Sequence, residues 1–220
     1  MRRSGKGGQH AVRPFKKKDY DKIMRILHDR MEADHDDPIK YYVAYRNYMI
    51  FRIGVNVGLR QSDLMRLTPD SVADGTISYT AKKTGKQDSY DLNHELYKEI
   101  REYIATFKIG NNEYLFRGVS ADHKHLRNGH LSKDRLEDII KQLAKRINIR
   151  YPVNTHSLRK SYAMWLYEKT ESIPIVQQAL QHSSPNVTMH YLGISSEELF
   201  RVRKKINFEP DLGEKKKQQK

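Results

Sequence analysis

At 220 residues the chain can bury one substantial core, or a core with a small appendage, and it carries 41 Lys and Arg against 27 Asp and Glu, a formal charge of +14. That excess favours a polyanionic partner, nucleic acid being the commonest, although charge alone does not separate DNA from RNA or an anionic membrane surface. The absence of cysteine excludes disulfides, a cysteine nucleophile and thiolate zinc sites.

The basic N-terminus is not followed by an apolar run, as a secretory signal would require, and no stretch approaches the roughly 20 apolar residues of a membrane span. These features predict a soluble, cytoplasmic protein with no membrane partner.

Residues 1–13 are basic and contain Gly and Ser, and are expected to be flexible. A helix is predicted from Pro14 or Phe15, with Tyr20, Ile23, Met24 and Leu27 as its apolar stripe. The Asp34-His35-Asp36-Asp37-Pro38 stretch ends it and starts the next, because Pro suits the first turn and aspartates suit the positive end of a helix. Residues 38–58 are rich in Tyr, Val, Ile and Met and predict a largely buried central helix stopped by Gly58. A short helix follows over Gln61–Leu67. Two strands, Thr76–Tyr79 and Asp88–Leu92, are expected around the basic turn Lys82-Lys83-Thr84-Gly85-Lys86. A third strand near Ser71–Ala73 can pair through Asp74-Gly75. Helices are expected near 93–107, 132–148, 155–169, 172–181, 185–191 and 195–206, with Gly/Asn-rich loops at 110–112 and 128–129. The tail at 208–220 is basic, has nothing to bury, and is expected to be flexible. The fold class is therefore mainly α with a small antiparallel β-sheet.

The chemistry lies in a few polar residues. His156 and Arg159 are three apart, so a helix starting near Thr155 puts both on one face. Asn154 or Thr155 can cap that helix, whose free N–H groups would favour a phosphate. His182 follows the apolar run Ile173–Leu180, and Tyr191 comes nine residues later. Arg60 sits just beyond the buried helix, where its guanidinium can fork onto two phosphate oxygens. Asp63 can orient Arg60 or form an ordinary helix-surface pair. Lys83, in the strand turn, can enter a groove or meet a leaving oxygen, with Lys82 and Lys86 as its competitors. Singly, each residue is commonplace: Tyr191 is one of 14 tyrosines, most of which are expected to serve packing.

In order, Gly58-Leu59-Arg60-Gln61-Ser62-Asp63-Leu64, the Lys83-Thr84-Gly85 turn, His156-Ser157-Leu158-Arg159, Leu180-Gln181-His182-Ser183-Ser184 and Tyr191 resemble the catalytic domain of the tyrosine recombinase, or phage integrase, family. The resemblance covers residues of about 38–205. It implies that family's catalytic-domain fold and site-specific DNA recombination, integration or excision, through a covalent 3′-phosphotyrosine. By motif, Arg60, Arg159 and His182 would bind the scissile phosphate and Lys83 would lie on the hairpin. Tyr191 would be the nucleophile, and His156 a phosphate-side or proton-transfer group. No metal and no cofactor are expected. Lys82, Lys86, Lys124, Arg127, Lys133 and Arg135, with Lys141 and Lys145, would meet double-stranded DNA, mainly its backbone.

The chain departs from the family pattern in three places. Gln181 stands where the family usually has Gly, and Asp63 where it often has Glu. Only about 37 residues precede the central helix, so the usual core-binding domain is expected to be absent and the catalytic domain to span 14–207. Family precedent implies a homo-oligomer on DNA, a tetrameric synapse, a monomer without DNA, accessory DNA-bending proteins, and a nucleoid-associated location when bound. Two other readings are a type IB topoisomerase-like relaxing enzyme and a non-cleaving DNA-binding module.

Overall fold

A computed structural model describes residues 12–194. The helix expected at 195–206, the tail, and the N-terminus before Val12 lie outside the described residues. The described part contains α1 (Lys17–Ala33), α2 (Pro38–Val57), α3 (Gln61–Leu64), a 3₁₀ turn (Pro69–Ser71), β1 (Val72–Ala73), β2 (Thr76–Thr80), β3 (Gln87–Asp91) and α4 (His94–Thr106). It continues through β4 (Arg117–Val119), β5 (Leu126–His130), α5 (Lys133–Arg146), α6 (His156–Thr170), α7 (Ile173–Ala179) and α8 (Pro185–Leu192). The mainly helical class with small antiparallel sheets holds.

The central helix α2 starts as its sequence predicts. Pro38 occupies the first turn, and the Asp37 carboxylate accepts the N–H groups of Ile39 and Lys40, each at 3.1 Å. The helix ends at Gly58, whose φ of 66° is left-handed and suits glycine. Most of α2 is buried, including Tyr42, Met49, Ile50, Phe51 and Ile53. Gly54 lets α6 approach closely: a Cβ there would lie 2.9 Å from Leu158 Cδ1. On the α4 side, Tyr42, Tyr45, Tyr103 and Phe107 form an aromatic cluster. The hydroxyls of Tyr42 and Tyr103 both donate to the Leu115 carbonyl, so these buried phenols are satisfied.

β1, β2 and β3 form one antiparallel sheet in that order. The expected third strand is present, pairing Val72 with Ile77 and Ala73 with Thr76 through Asp74 and Gly75, both at positive φ. Two expectations need correction. α1 begins at Lys17 rather than at Pro14 or Phe15, because residues 13–16 are extended and tied to the start of α6. Arg13 N–H donates to the Pro152 carbonyl, Phe15 N–H to Ser161 Oγ and Lys16 N–H to the Tyr151 hydroxyl. Residues 128–129 belong to strand β5 rather than a loop. Its antiparallel partner β4 supplies backbone pairs at Arg117–His130 and Val119–Leu126, while its side chains are mostly exposed and leave no alternating apolar signal.

A smaller apolar cluster joins the last three helices. Ala163, Val176, Leu180 and Leu192 are buried together, flanked by Tyr162, Leu166, Ile173 and Tyr191. Tyr191 is thus held on the inner side of α8 rather than presented on its surface.

Candidate active site

Arg159 organises the site. It is 5% exposed, and its two terminal nitrogens donate to the carbonyls of Gly58 at 2.5 Å and Leu180 at 2.6 Å. The guanidinium therefore ties the end of α2, where Arg60 begins, to the end of α7, where His182 follows. Gly58 is required twice at this junction. Its backbone is left-handed, and a Cβ would sit 2.1 Å from Tyr162 Cδ1.

His182 packs edge-on against Tyr191, with ring centroids 5.2 Å apart, and its Nδ1 lies 3.0 Å from Thr188 Oγ1. Burial, with the positive charges of Arg159 and Arg60 added, pushes the imidazole down to about 4, so it is neutral at pH 7. The preceding Gln181 has a φ of 52°. A residue with a side chain thus holds a left-handed backbone where the family usually has Gly.

The Tyr191 hydroxyl is buried, and among the described residues the Arg159 guanidinium is the group that faces it, at less than ideal hydrogen-bond geometry. Desolvation raises its pKa above the ordinary 10, while the Arg159 and Arg60 charges pull it back. Two cations, a neutral imidazole and a buried phenol therefore converge at one place.

Lys83 and His156 stand further out. Lys83 is exposed in the 81–86 turn, where Ala81 N–H donates to the Lys86 carbonyl and Gly85 N–H to the Ala81 carbonyl. Two contacts tie this hairpin to the site. Asp63 Oδ1 accepts the Lys82 backbone N–H at 2.9 Å, and the Tyr90 hydroxyl donates to the Ala179 carbonyl at 2.8 Å. Asp63 is buried at 3% exposure, so it is neither a surface pair nor a partner of Arg60 among the described ion pairs. Its work is to hold the hairpin.

His156 opens α6 and is exposed, with its pKa lowered by desolvation and then by Lys133 and Arg159. The expected cap belongs to Asn154, not Thr155. Asn154 Oδ1 accepts His156 N–H, and the Asn154 carbonyl accepts Ser157 N–H. The N–H groups of His156 and Ser157 are thereby occupied and are not free for the phosphate expected there.

Of the other basic residues, Lys82, Lys86, Lys124, Arg127, Lys133 and Arg135 are all exposed. Arg127 and Arg135 line a cleft of about 700 Å³ beside the β4–β5 hairpin, together with Arg46, His123 and His130 and without a carboxylate. Arg46 carries no motif that marks it in the sequence. It is 3% exposed, donating to the Arg117 carbonyl and to Asn47 Oδ1. Among the described residues no helix is long and apolar enough to cross a membrane, and no group of three or more His, Asp or Glu could hold a metal.

This arrangement is that of a tyrosine recombinase catalytic domain. The phage integrase family model matches residues 13–198, and the chain belongs to that family. It is 30% identical to the probable integrase/recombinase YoeC of Bacillus subtilis over 178 residues, covering 79% of this chain and 93% of that protein. It is 27% identical to the tyrosine recombinase XerD of Bradyrhizobium diazoefficiens, covering 82% of this chain but only 58% of XerD. The chain thus spans nearly all of one curated relative and little more than half of another. Its fold is shared with XerH in a post-cleavage complex with palindromic difH substrate (TM-score 0.63, 20% identity, 87% of this chain and 52% of that one). The catalytic domain of bacteriophage HP1 integrase also shares it (TM-score 0.54, 19% identity, 88% and 95%).

Proposed function

We propose that this chain cuts and rejoins double-stranded DNA at specific sites, with Tyr191 as the nucleophile. The observation that carries the reading is the buried Tyr191 hydroxyl beside Arg60, Arg159 and His182.

The phenol oxygen attacks phosphorus in line with the departing 5′-oxygen, forming a Tyr–phosphate ester at the 3′ end as the P–O5′ bond breaks. Arg60, Arg159 and His182 offset charge on the non-bridging oxygens as the transition state develops. With Nδ1 turned to Thr188, His182 offers Nε2 to the phosphate. Tyr191 is protonated at neutral pH and needs a base, for which His156 is the candidate; Lys83 is the candidate acid for the 5′-oxygen. The ester keeps the energy of the broken bond, so a free 5′-hydroxyl from another strand can reverse the step without ATP. No step calls on a metal.

The basic cleft of Arg127 and Arg135, with Lys82, Lys86, Lys124 and Lys133, fits the DNA backbone and predicts a steep salt dependence. We assign a homo-oligomer on DNA from the family relationship. Likeness to XerH, which acts on difH, and to the Tn1549 transposon integrase supports a recombinase of a mobile element or replicon.

The test uses nicked suicide duplexes tiled across the DNA flanking the encoding gene, with gel detection of covalent protein–DNA adducts. An adduct formed in EDTA and mapping to Tyr191 supports the reading. A strict divalent-metal requirement would overturn the chemistry, and binding without any adduct across the tiles would establish a non-cleaving DNA module instead.

A further inference from the structure

Lys160 directly follows Arg159 but is absent from the chemistry above. It is partly buried, and its ammonium makes two contacts at once. It donates to the Val12 carbonyl at 2.8 Å and lies 5.2 Å from the centroid of the Tyr191 ring. An ammonium over an aromatic face is attracted by the ring's negative quadrupole, and the attraction grows as the ring gains phenolate character. The Val12 contact stops the flexible four-carbon stem from swinging the charge away.

The Val12 carbonyl is itself held in place. Residues 13–16 are fixed to the 151–161 region through Arg13 to Pro152, Phe15 to Ser161 and Lys16 to Tyr151, and the Tyr151 hydroxyl donates in turn to Asp19 of α1 at 2.8 Å. Ser161, next to Lys160, also donates to the Ser157 carbonyl and so links the Phe15 N–H to the first turn of α6. Desolvation lowers the Lys160 pKa, so holding the charge here works against hydration.

We propose that Lys160 is a positioning residue that fixes the Tyr191 ring and ties its placement to the chain segment leading into α1. The inference rests on Tyr191 being the nucleophile. It makes readiness for attack depend on how residues 12–16 are seated, so that tension or release on the chain entering the domain reaches the phenol through one side chain. Arg159 grips phosphate and scaffold, while Lys160 grips the nucleophile.

The experiment compares Lys160→Met, Lys160→Arg, Tyr151→Phe and the double variant Lys160→Met/Tyr151→Phe in the full chain. Single-turnover adduct formation is measured on a cleavable suicide duplex at saturating DNA from pH 6 to 9, with duplex affinity and thermal midpoint alongside. Lys160→Met should slow adduct formation about tenfold and move its pH dependence upward, with affinity within about twofold; Lys160→Arg should recover most of the rate. Tyr151→Phe should slow the wild-type chain a few-fold and add little in the Lys160→Met background, because both act through one link. An unchanged rate and pH profile in folded Lys160→Met, or full additivity of the two substitutions, would overturn the proposal. So would a loss confined to affinity and thermal stability. An adduct undiminished in Tyr191→Phe would instead overturn the nucleophile assignment itself.

Discussion

Asp63 and Lys82 are 19 residues apart, yet the carboxylate of the first accepts the backbone N–H of the second at 2.9 Å. The bond fastens the turn bearing Lys83 to the short helix that begins after Arg60. Asp63→Ala should remove this fastening and leave a part-buried N–H without its acceptor, lowering stability by about 1 kcal/mol. Adduct formation should fall about tenfold or more as Lys83 loses its place. Asp63→Asn keeps an acceptor oxygen and should retain most of the rate. Urea denaturation and single-turnover cleavage of the two variants check the difference.

Arg159 is both scaffold and candidate phosphate ligand. Arg159→Ala would leave the Gly58 and Leu180 carbonyls without their charged donor, at a cost of about 3 kcal/mol or more. The adduct should be lost. Arg159→Lys supplies one point charge where a planar fork spans two carbonyls, and should fall between wild type and alanine in thermal midpoint.

Gln181 holds a left-handed backbone at a φ of 52°. Gln181→Gly relieves about 1–2 kcal/mol of backbone strain and returns about 0.4–1 kcal/mol through the freer unfolded chain. A net gain of about 0.5 kcal/mol in thermal unfolding is expected, with the His182-dependent cleavage rate unchanged. A destabilised variant would mean that the Gln181 side chain itself supports the turn.

His182 predicts a pH effect whose sign follows from its low pKa. The unfolded chain takes up a proton as pH falls through the ordinary value of 6.5, while native His182 waits until about 4. The native state therefore loses stability across that window on acidification. A bound phosphodiester favours the imidazolium, so DNA binding near pH 5.5 should draw in a proton. Calorimetry in buffers of different ionisation enthalpy should detect this uptake in wild type and find it reduced in His182→Asn.

The candidate site residues could be picked out in the sequence because each lies in a short local motif: a helix end at Gly58, a basic turn at Lys83, a helix start at His156. The expected α2 also appears, since Asp37, Pro38 and Gly58 mark its limits locally. What holds these pieces together was not legible. The Asp63–Lys82 and Tyr90–Ala179 bonds and the Lys160 bridge between Val12 and Tyr191 join distant segments, and no local period announces such pairings. Asn154 competed with Thr155 for the α6 cap, and only geometry separates two polar neighbours at a helix start. The β4–β5 hairpin escaped because its strands are short and one is mostly exposed, so backbone pairing rather than apolar alternation defines it.

The central claim is that the Tyr191 oxygen becomes bonded to DNA. The most direct measurement is denaturing-gel and peptide-mass detection of the adduct formed in EDTA by wild type and Tyr191→Phe on the same suicide duplex. The expected result is a phosphotyrosyl peptide containing residue 191 in wild type and none in the phenylalanine variant, which should still bind the duplex. An adduct of equal yield in Tyr191→Phe, or one mapped to another tyrosine, would contradict the account.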